Sequence, residues 1–175
     1  MSGASEVPQI VLTGFMGTGK TEVGRRLARA LGRPFVDTDD LVAAAAGRPV
    51  PEIFATDGEP RFRALERSAV EQACGVPEAV IATGGGTVLD PENRRRLAAA
   101  GPIVCLSARP EDILRRVRDA ASRPLLAGAR DRLGHIRTLL DERGPTYALA
   151  THTIDTTGLT LDQVVERVRE LVAGR

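Results

Sequence analysis

The sequence predicts an α/β fold: three layers, with a five-stranded parallel sheet flanked by helices. Three observations carry that expectation. Five short apolar runs alternate with helix-patterned segments, and strands apolar along their whole length are those buried on both faces of a parallel sheet. The first run passes through a glycine loop straight into a helix, as βα units do. No internal repeat, low-complexity tract or linker interrupts the alternation, and 175 residues suit one domain with a core that needs no staple.

The elements follow in order. Residues Met1 to Pro8 read as a short flexible leader without a signal peptide's charged start and apolar centre. Gln9–Thr13 is the first strand, and Glu22 to Leu31 the first helix, stopped by Gly32-Arg33-Pro34. Pro34 to Asp37 is a second short strand. A helix from Thr38 ends at Gly47-Arg48-Pro49, and a short one spans Pro51 to Ala55. After the turn Asp57-Gly58, the spacing of Phe62, Leu65, Ala69 and Val70 marks one apolar helical face from Glu59 to Ala73. Ala79–Thr83 is the third strand and runs into Gly84-Gly85-Gly86. Asp90 and Pro91 are cap and first residue of a helix ending near Gly101. Ile103–Leu106 is the fourth strand, followed by a helix from about Pro110 to Asp119. An arginine-rich loop at 122–134 leads to a helix from about His135 to Arg143, broken by Gly144-Pro145. His152–Asp155 is the fifth strand, and Thr160 with Gln163 opens the last helix as a capping box.

Composition excludes several functions. A formal net charge of +1 lacks the basic excess of an electrostatic nucleic-acid binder, and with no Trp and one Tyr there is no stacking platform for single strands. No run is long and apolar enough to span a membrane, so a soluble, cytoplasmic protein is expected. Cys74 and Cys105 have no metal or redox spacing and read as free thiols. No strongly apolar surface stripe argues for a partner subunit, so a monomer is expected.

Gly14-Phe15-Met16-Gly17-Thr18-Gly19-Lys20-Thr21 fits the G-x-x-x-x-G-K-[ST] phosphate loop in its strand–loop–helix setting. Glycines let backbone N–H groups converge on a concavity that side chains would fill, and the helix N-terminus adds donors and partial positive charge. Lys20 places a charge on the terminal phosphates and the Thr21 hydroxyl suits a magnesium ion. Lys20 is the only lysine in the chain, although arginine serves everywhere else. The third strand ends without an acid, so a metal-side carboxylate is expected from Asp37, with Asp39 free to accept a proton or hydrogen bond from a substrate hydroxyl. As a plain acidic turn, Asp39 or Asp40 would instead cap the following helix. Ligands gather at the carboxyl ends of strands in open α/β sheets, and the triple glycine there suggests close backbone approach to one. Arg63, with Glu59 and Glu66 four residues before and three after, and Arg143 at a helix end could grip a small carboxylate. Arg116, Arg118, Arg123, Arg130 and Arg132 concentrate in and around the 122–134 stretch, which reads as a mobile lid over about 119–134.

With these motifs in order, the chain resembles shikimate kinase, from Ile10 to about Val172. The resemblance rests on the phosphate loop, F-V-D-T-D at Phe35 to Asp39, I-F-A-T-D-G-E-P-R-F-R at Ile53 to Arg63, A-T-G-G-G at Ala82 to Gly86, S-R-P-L-L at Ser122 to Leu126 and E-R-G-P-T-Y at Glu142 to Tyr147. It implies a phosphate-loop kinase of nucleoside monophosphate kinase-like layout that uses ATP and Mg2+ to phosphorylate the 3-hydroxyl of shikimate, in aromatic amino-acid biosynthesis. It further implies nucleotide contacts from Gly17, Thr18, Gly19, Lys20, Thr21, Glu22, Arg116 and Arg123, with Arg116 against adenine. Thr21 and Asp37 would hold the metal. Asp39, Arg63, Gly85 and Arg143 would bind shikimate, with Gly84 and Gly86 in the same loop and Phe54 and Phe62 under the ring. Lys20, Asp39 and Arg123 would be catalytic, Asp39 as base. The chain departs from the family after the last strand, where Asp155-Thr156-Thr157-Gly158-Leu159 lacks the polar or basic residue that family members often carry where the chain passes the adenine, and near Ala43, where the family often has glutamate. A kinase for another small hydroxy acid such as gluconate, or for a nucleoside monophosphate, is the alternative within enzymes. A nucleotide switch is the alternative outside them.

Overall fold

The computed structural model describes residues 7–117, 126 and 128–174. Its sheet has five parallel strands: β1 (Ile10–Gly14), β2 (Phe35–Asp37), β3 (Val80–Ala82), β4 (Ile103–Ser107) and β5 (His152–Asp155), ordered β2-β3-β1-β4-β5. Each lies within a residue or two of its sequence expectation. The helices are α1 (Lys20–Leu31), α2 (Thr38–Ala46), α3 (Val50–Cys74), α4 (Pro91–Ala100), α5 (Pro110–Arg116), α6 (Arg132–Tyr147) and α7 (Leu161–Ala173).

Burial explains why the central strands β1, β3 and β4 are the apolar ones, whereas the edge strands β2 and β5 are only partly buried. One side of the sheet packs Val11, Ile81 and Cys105 with Val70, Leu97 and Ile136. The other packs Ile10, Leu12, Val80 and Val104 with Leu27 and Val168 of α1 and α7. A third cluster, Val42, Ile53, Phe62 and Ala69, joins α2 to α3 beyond the sheet edge. Among the described residues, no helix is long and apolar enough to cross a membrane.

Two elements differ from expectation. The helix expected to break at Gly144-Pro145 continues to Tyr147. Proline removes only its own amide and the bond to the carbonyl four residues back. At Pro145 that carbonyl belongs to Asp141, an exposed residue, while Ala148 N–H still donates to Gly144 O at 2.9 Å. The same helix starts earlier than expected, because Asp131 caps it by accepting from Gly134 N–H at 2.9 Å. The expected turn within α3 is present: Gly58 (φ 81°, ψ 170°) is non-helical and divides the run into two helices just before Pro60. The helix expected to reach Asp119 ends at Arg116, with Val117 as its cap, and 118–119 lie outside the described residues. Part of the expected lid, 119–125 and 127 with Arg123, also lies outside them, as does Arg118.

Candidate active site

The carboxyl ends of β1, β2 and β3 face a cleft with two connected chambers. The larger, about 520 Å³, runs along the phosphate loop, and the smaller, about 310 Å³, lies between α2, α3 and α6. Met16, Asp39, Gly84 and Gly85 line both and form the passage between them.

The phosphate loop is shaped by space as much as by dihedrals. A β-carbon on Gly14 would fall 2.2 Å from Leu106 O of the neighbouring strand, and Gly19 has a φ of 91° that side chains avoid. Gly19 caps α1 without a side-chain hydrogen bond, so the first-turn amides face the cleft unshielded by a capping side chain. Lys20 Nζ donates to Gly14 O at 2.7 Å and Phe15 O at 2.9 Å, arching over the cradle that phosphates would fill. Thr18 Oγ1 donates to Phe15 O at 2.7 Å and stiffens the same loop. Glu22 lines the chamber from an exposed position and pairs with Arg25 at 3.4 Å.

Asp37 ends β2, two strands away from β1, yet it reaches the loop. Thr21 Oγ1 donates to Asp37 Oδ2 at 2.8 Å, and Asp37 Oδ1 accepts from Asp39 N–H at 2.9 Å. Asp37, rather than Asp39 or Asp40, is therefore the cap of α2. A hydroxyl and a carboxylate side by side at the phosphate cradle are the hard oxygen donors that a magnesium ion takes. Capping leaves Asp39 one residue into the helix, at the passage between chambers.

The triple glycine seats three different side chains. A β-carbon on Gly84 would lie 3.0 Å from Asp39 Oδ1, one on Gly85 3.3 Å from Arg143 Nη1, and one on Gly86 2.7 Å from Arg63 Nη2. None of the three has positive φ, so glycine is required here for room rather than for conformation. The loop is pinned by Thr38 Oγ1, which accepts from Gly84 N–H at 3.3 Å, and by Tyr147 Oη, which donates to Gly85 O.

In the smaller chamber two guanidinium groups converge. Arg63 donates to Glu66 at 2.8 Å and Glu59 at 3.3 Å. Burial opposes its charge, but Glu66 and then Glu59 outweigh this and raise its pKa. Glu66, 1% exposed, uses its second oxygen to accept from Thr87 Oγ1 at 2.8 Å. Arg143, 5% exposed, lies with its guanidinium carbon 5.4 Å from the Phe15 ring centroid. Its Nη1 is buried without a hydrogen-bond partner among the described residues, a donor that a carboxylate would satisfy. Phe54 and Phe62 form the apolar wall with ring centroids 4.6 Å apart.

Most expected site residues are thus brought to one cleft: Gly17 to Glu22, Asp37, Asp39, Phe54, Phe62, Arg63, Gly84 to Gly86, Arg116 and Arg143. Arg123 lies outside the described residues. Arg116 stands at the mouth of the larger chamber, its guanidinium donating to Gly17 O and to Thr156. Met16, Glu66, Thr87 and Tyr147 were not singled out from sequence. Glu66 was visible only as a partner of Arg63 at helical spacing; its burial and its bond to Thr87 depend on how α3 meets the glycine loop.

The family model described as Shikimate kinase matches residues 16–173. A shikimate kinase from Caldanaerobacter subterraneus subsp. tengcongensis is 51% identical over 91% of this chain and 92% of its own. The solved structure of shikimate kinase from Acinetobacter baumannii in complex with shikimate superposes with a TM-score of 0.91 at 35% identity, covering 96% of this chain and 94% of that one. A gluconokinase from Sinorhizobium meliloti gives a TM-score of 0.59 at 19% identity over 96% of this chain and 93% of that one, a likeness of fold alone.

Proposed function

The chain belongs to the shikimate kinase family, and from that premise we infer that it transfers the γ-phosphoryl group of ATP to the 3-hydroxyl of shikimate. The products are shikimate 3-phosphate and ADP. The observation that carries this reading is the meeting of a phosphate cradle and a two-arginine chamber at Asp39, Gly84 and Gly85. Gluconate, the alternative acceptor, has only the distant fold likeness on its side.

In the proposed mechanism the loop amides and Lys20 hold the triphosphate with its terminal group toward the passage. Thr21 and Asp37 would hold a magnesium ion, which when bound neutralises phosphate charge. Arg63 and Arg143 take the substrate carboxylate, and Phe54 and Phe62 support the apolar face of its ring. This leaves a ring hydroxyl at Asp39. The hydroxyl oxygen forms its bond to the γ-phosphorus as the bond to the leaving ADP oxygen breaks, and the hydroxyl proton passes to the Asp39 carboxylate. Such loose phosphoryl transfer needs positioning and charge stabilisation more than covalent help.

A monomer is the proposed working unit, supported by how few large hydrophobics are exposed among the described residues: Val7, Leu89 and Leu149. Its need for ATP is the reason to place it in the cytoplasm. The site of transfer is tested by incubating the protein with MgATP and shikimate and locating the phosphate through phosphorus–proton coupling. Coupling to the proton on C3 is expected; phosphate on another ring oxygen, or no product, would overturn the reading.

A further inference from the structure

Thr87 is fully buried and lines neither chamber, yet a single carboxylate separates its hydroxyl from Arg63. It opens the single 3-10 turn that follows the triple glycine, Thr87–Leu89. Its backbone is fixed on both sides. The N–H donates to Gly84 O at 3.2 Å, and the carbonyl accepts from Asn93 Nδ2 of α4 at 3.2 Å. From that fixed point Thr87 Oγ1 donates to Glu66 Oε2 at 2.8 Å, while Glu66 Oε1 accepts from Arg63 Nη1 at 2.8 Å. A hydroxyl and a guanidinium thus hold the two oxygens of one buried carboxylate.

Glu66 needs both of them. A carboxylate taken out of water is stable in its charged form only when its oxygens are hydrogen-bonded. Glu59, the other partner of Arg63, is exposed, so water weakens its 3.3 Å pairing and Glu66 is the firmer hold. Gly84 covers the Glu66–Thr87 bond. A β-carbon there would lie 3.1 Å from Thr87 Oγ1 and 3.3 Å from Glu66 Oε2. A methyl group in place of the hydroxyl would therefore remove the donor and leave no room for a water to replace it.

We propose that Thr87 is a positioning residue for the acceptor: its hydroxyl fixes the Glu66 carboxylate, and through it the aim of Arg63 at the substrate carboxylate. The proposal rests on the reading of the smaller chamber as the shikimate site. Thr87 does not line that chamber, so its effect travels through Arg63 and is confined to the acceptor.

Two-substrate kinetics on Thr87→Val and Thr87→Ser, with denaturation midpoints alongside, test it. Thr87→Val keeps the shape and removes the hydroxyl. It is expected to raise KM for shikimate about tenfold, inside the ~5–150-fold range that an unsatisfied buried polar group can cost. KM for ATP and kcat should stay within about twofold, and Thr87→Ser should restore KM for shikimate. Thr87→Ala should show the same split as the valine variant, and carries the test if that variant does not fold. Combined with Arg63→Ala, Thr87→Val should raise KM no further, because the path through Arg63 is already gone. An unchanged KM for shikimate, even with a lowered denaturation midpoint, would overturn the proposal and leave Thr87 a core residue. Equal rises in both KM values, a serine variant as impaired as valine, or an additive rise on Arg63→Ala would overturn it too. No transfer to shikimate by the unsubstituted protein would instead overturn the acceptor reading, and the proposal with it.

Discussion

Arg63 is oriented before any substrate arrives, because Glu66 and Glu59 hold its guanidinium from two sides. In the proposed mechanism, preorganisation of this kind would make its contribution specific to the carboxylate-bearing substrate. Arg63→Ala should raise KM for shikimate by about 10–100-fold, the ~1.5–3 kcal/mol of a charge-assisted hydrogen bond, with KM for ATP little changed. An unchanged KM for shikimate would refute the role. Gly86→Ala should act in the same direction but more weakly, since its methyl group would press on Arg63 Nη2 from 2.7 Å. Steady-state kinetics with both substrates varied separates the two effects. The sequence showed three glycines at a strand end but not which side chain each one admits. That assignment depends on β3 lying between β1 and β2, which brings α2, α3 and α6 to successive residues of one loop.

Strands and most helices were legible as elements because their apolar patterns and caps are local signals. Asp90 and Thr160 cap α4 and α7 as expected, with Gln163 completing the capping box of α7. The end of α6 was not legible. Gly-Pro is a local stop signal, and here it is overridden by the burial of Tyr147 one turn on. That extra turn reaches the candidate site, because Tyr147 Oη donates to Gly85 O and its hydroxyl also lies within hydrogen-bond reach of the Arg143 side chain. Tyr147→Phe removes the hydroxyl and keeps the ring. It should cost about 1 kcal/mol of stability, a typical net hydrogen bond, and raise KM for shikimate several-fold without moving KM for ATP. Chemical denaturation and two-substrate kinetics check this; equal effects on both KM values would make Tyr147 merely structural.

The whole molecule joins the phosphate loop, legible from eight contiguous residues, to the proposed acceptor chamber assembled from three distant segments. Motif order hinted at that chamber, but the passage at Met16, Asp39, Gly84 and Gly85 exists only in the folded sheet. The core beneath the cleft also sets a pH limit. Burial pushes the Cys105 thiol up to about 11, against a weaker opposing effect of Lys20. A group whose folded pKa is raised contributes stability that is full below its unfolded pKa, about 8.5 for a thiol, and lost as pH rises through the folded value. Stability should therefore fall between about pH 9 and 11. Tyr147, also raised by burial, adds loss in the same direction. Cys105→Ala should make the alkaline slope of the denaturation midpoint shallower; an unchanged slope would contradict the assignment.

The central claim is that the two chambers form one two-substrate site with shikimate as acceptor. Coupled measurement of ADP release from MgATP, with shikimate, gluconate, AMP or no acceptor, tests it most directly. Release that depends on shikimate and stays at background with the other three is the predicted result. Release at the same rate without any acceptor, or with gluconate or AMP in place of shikimate, would contradict it.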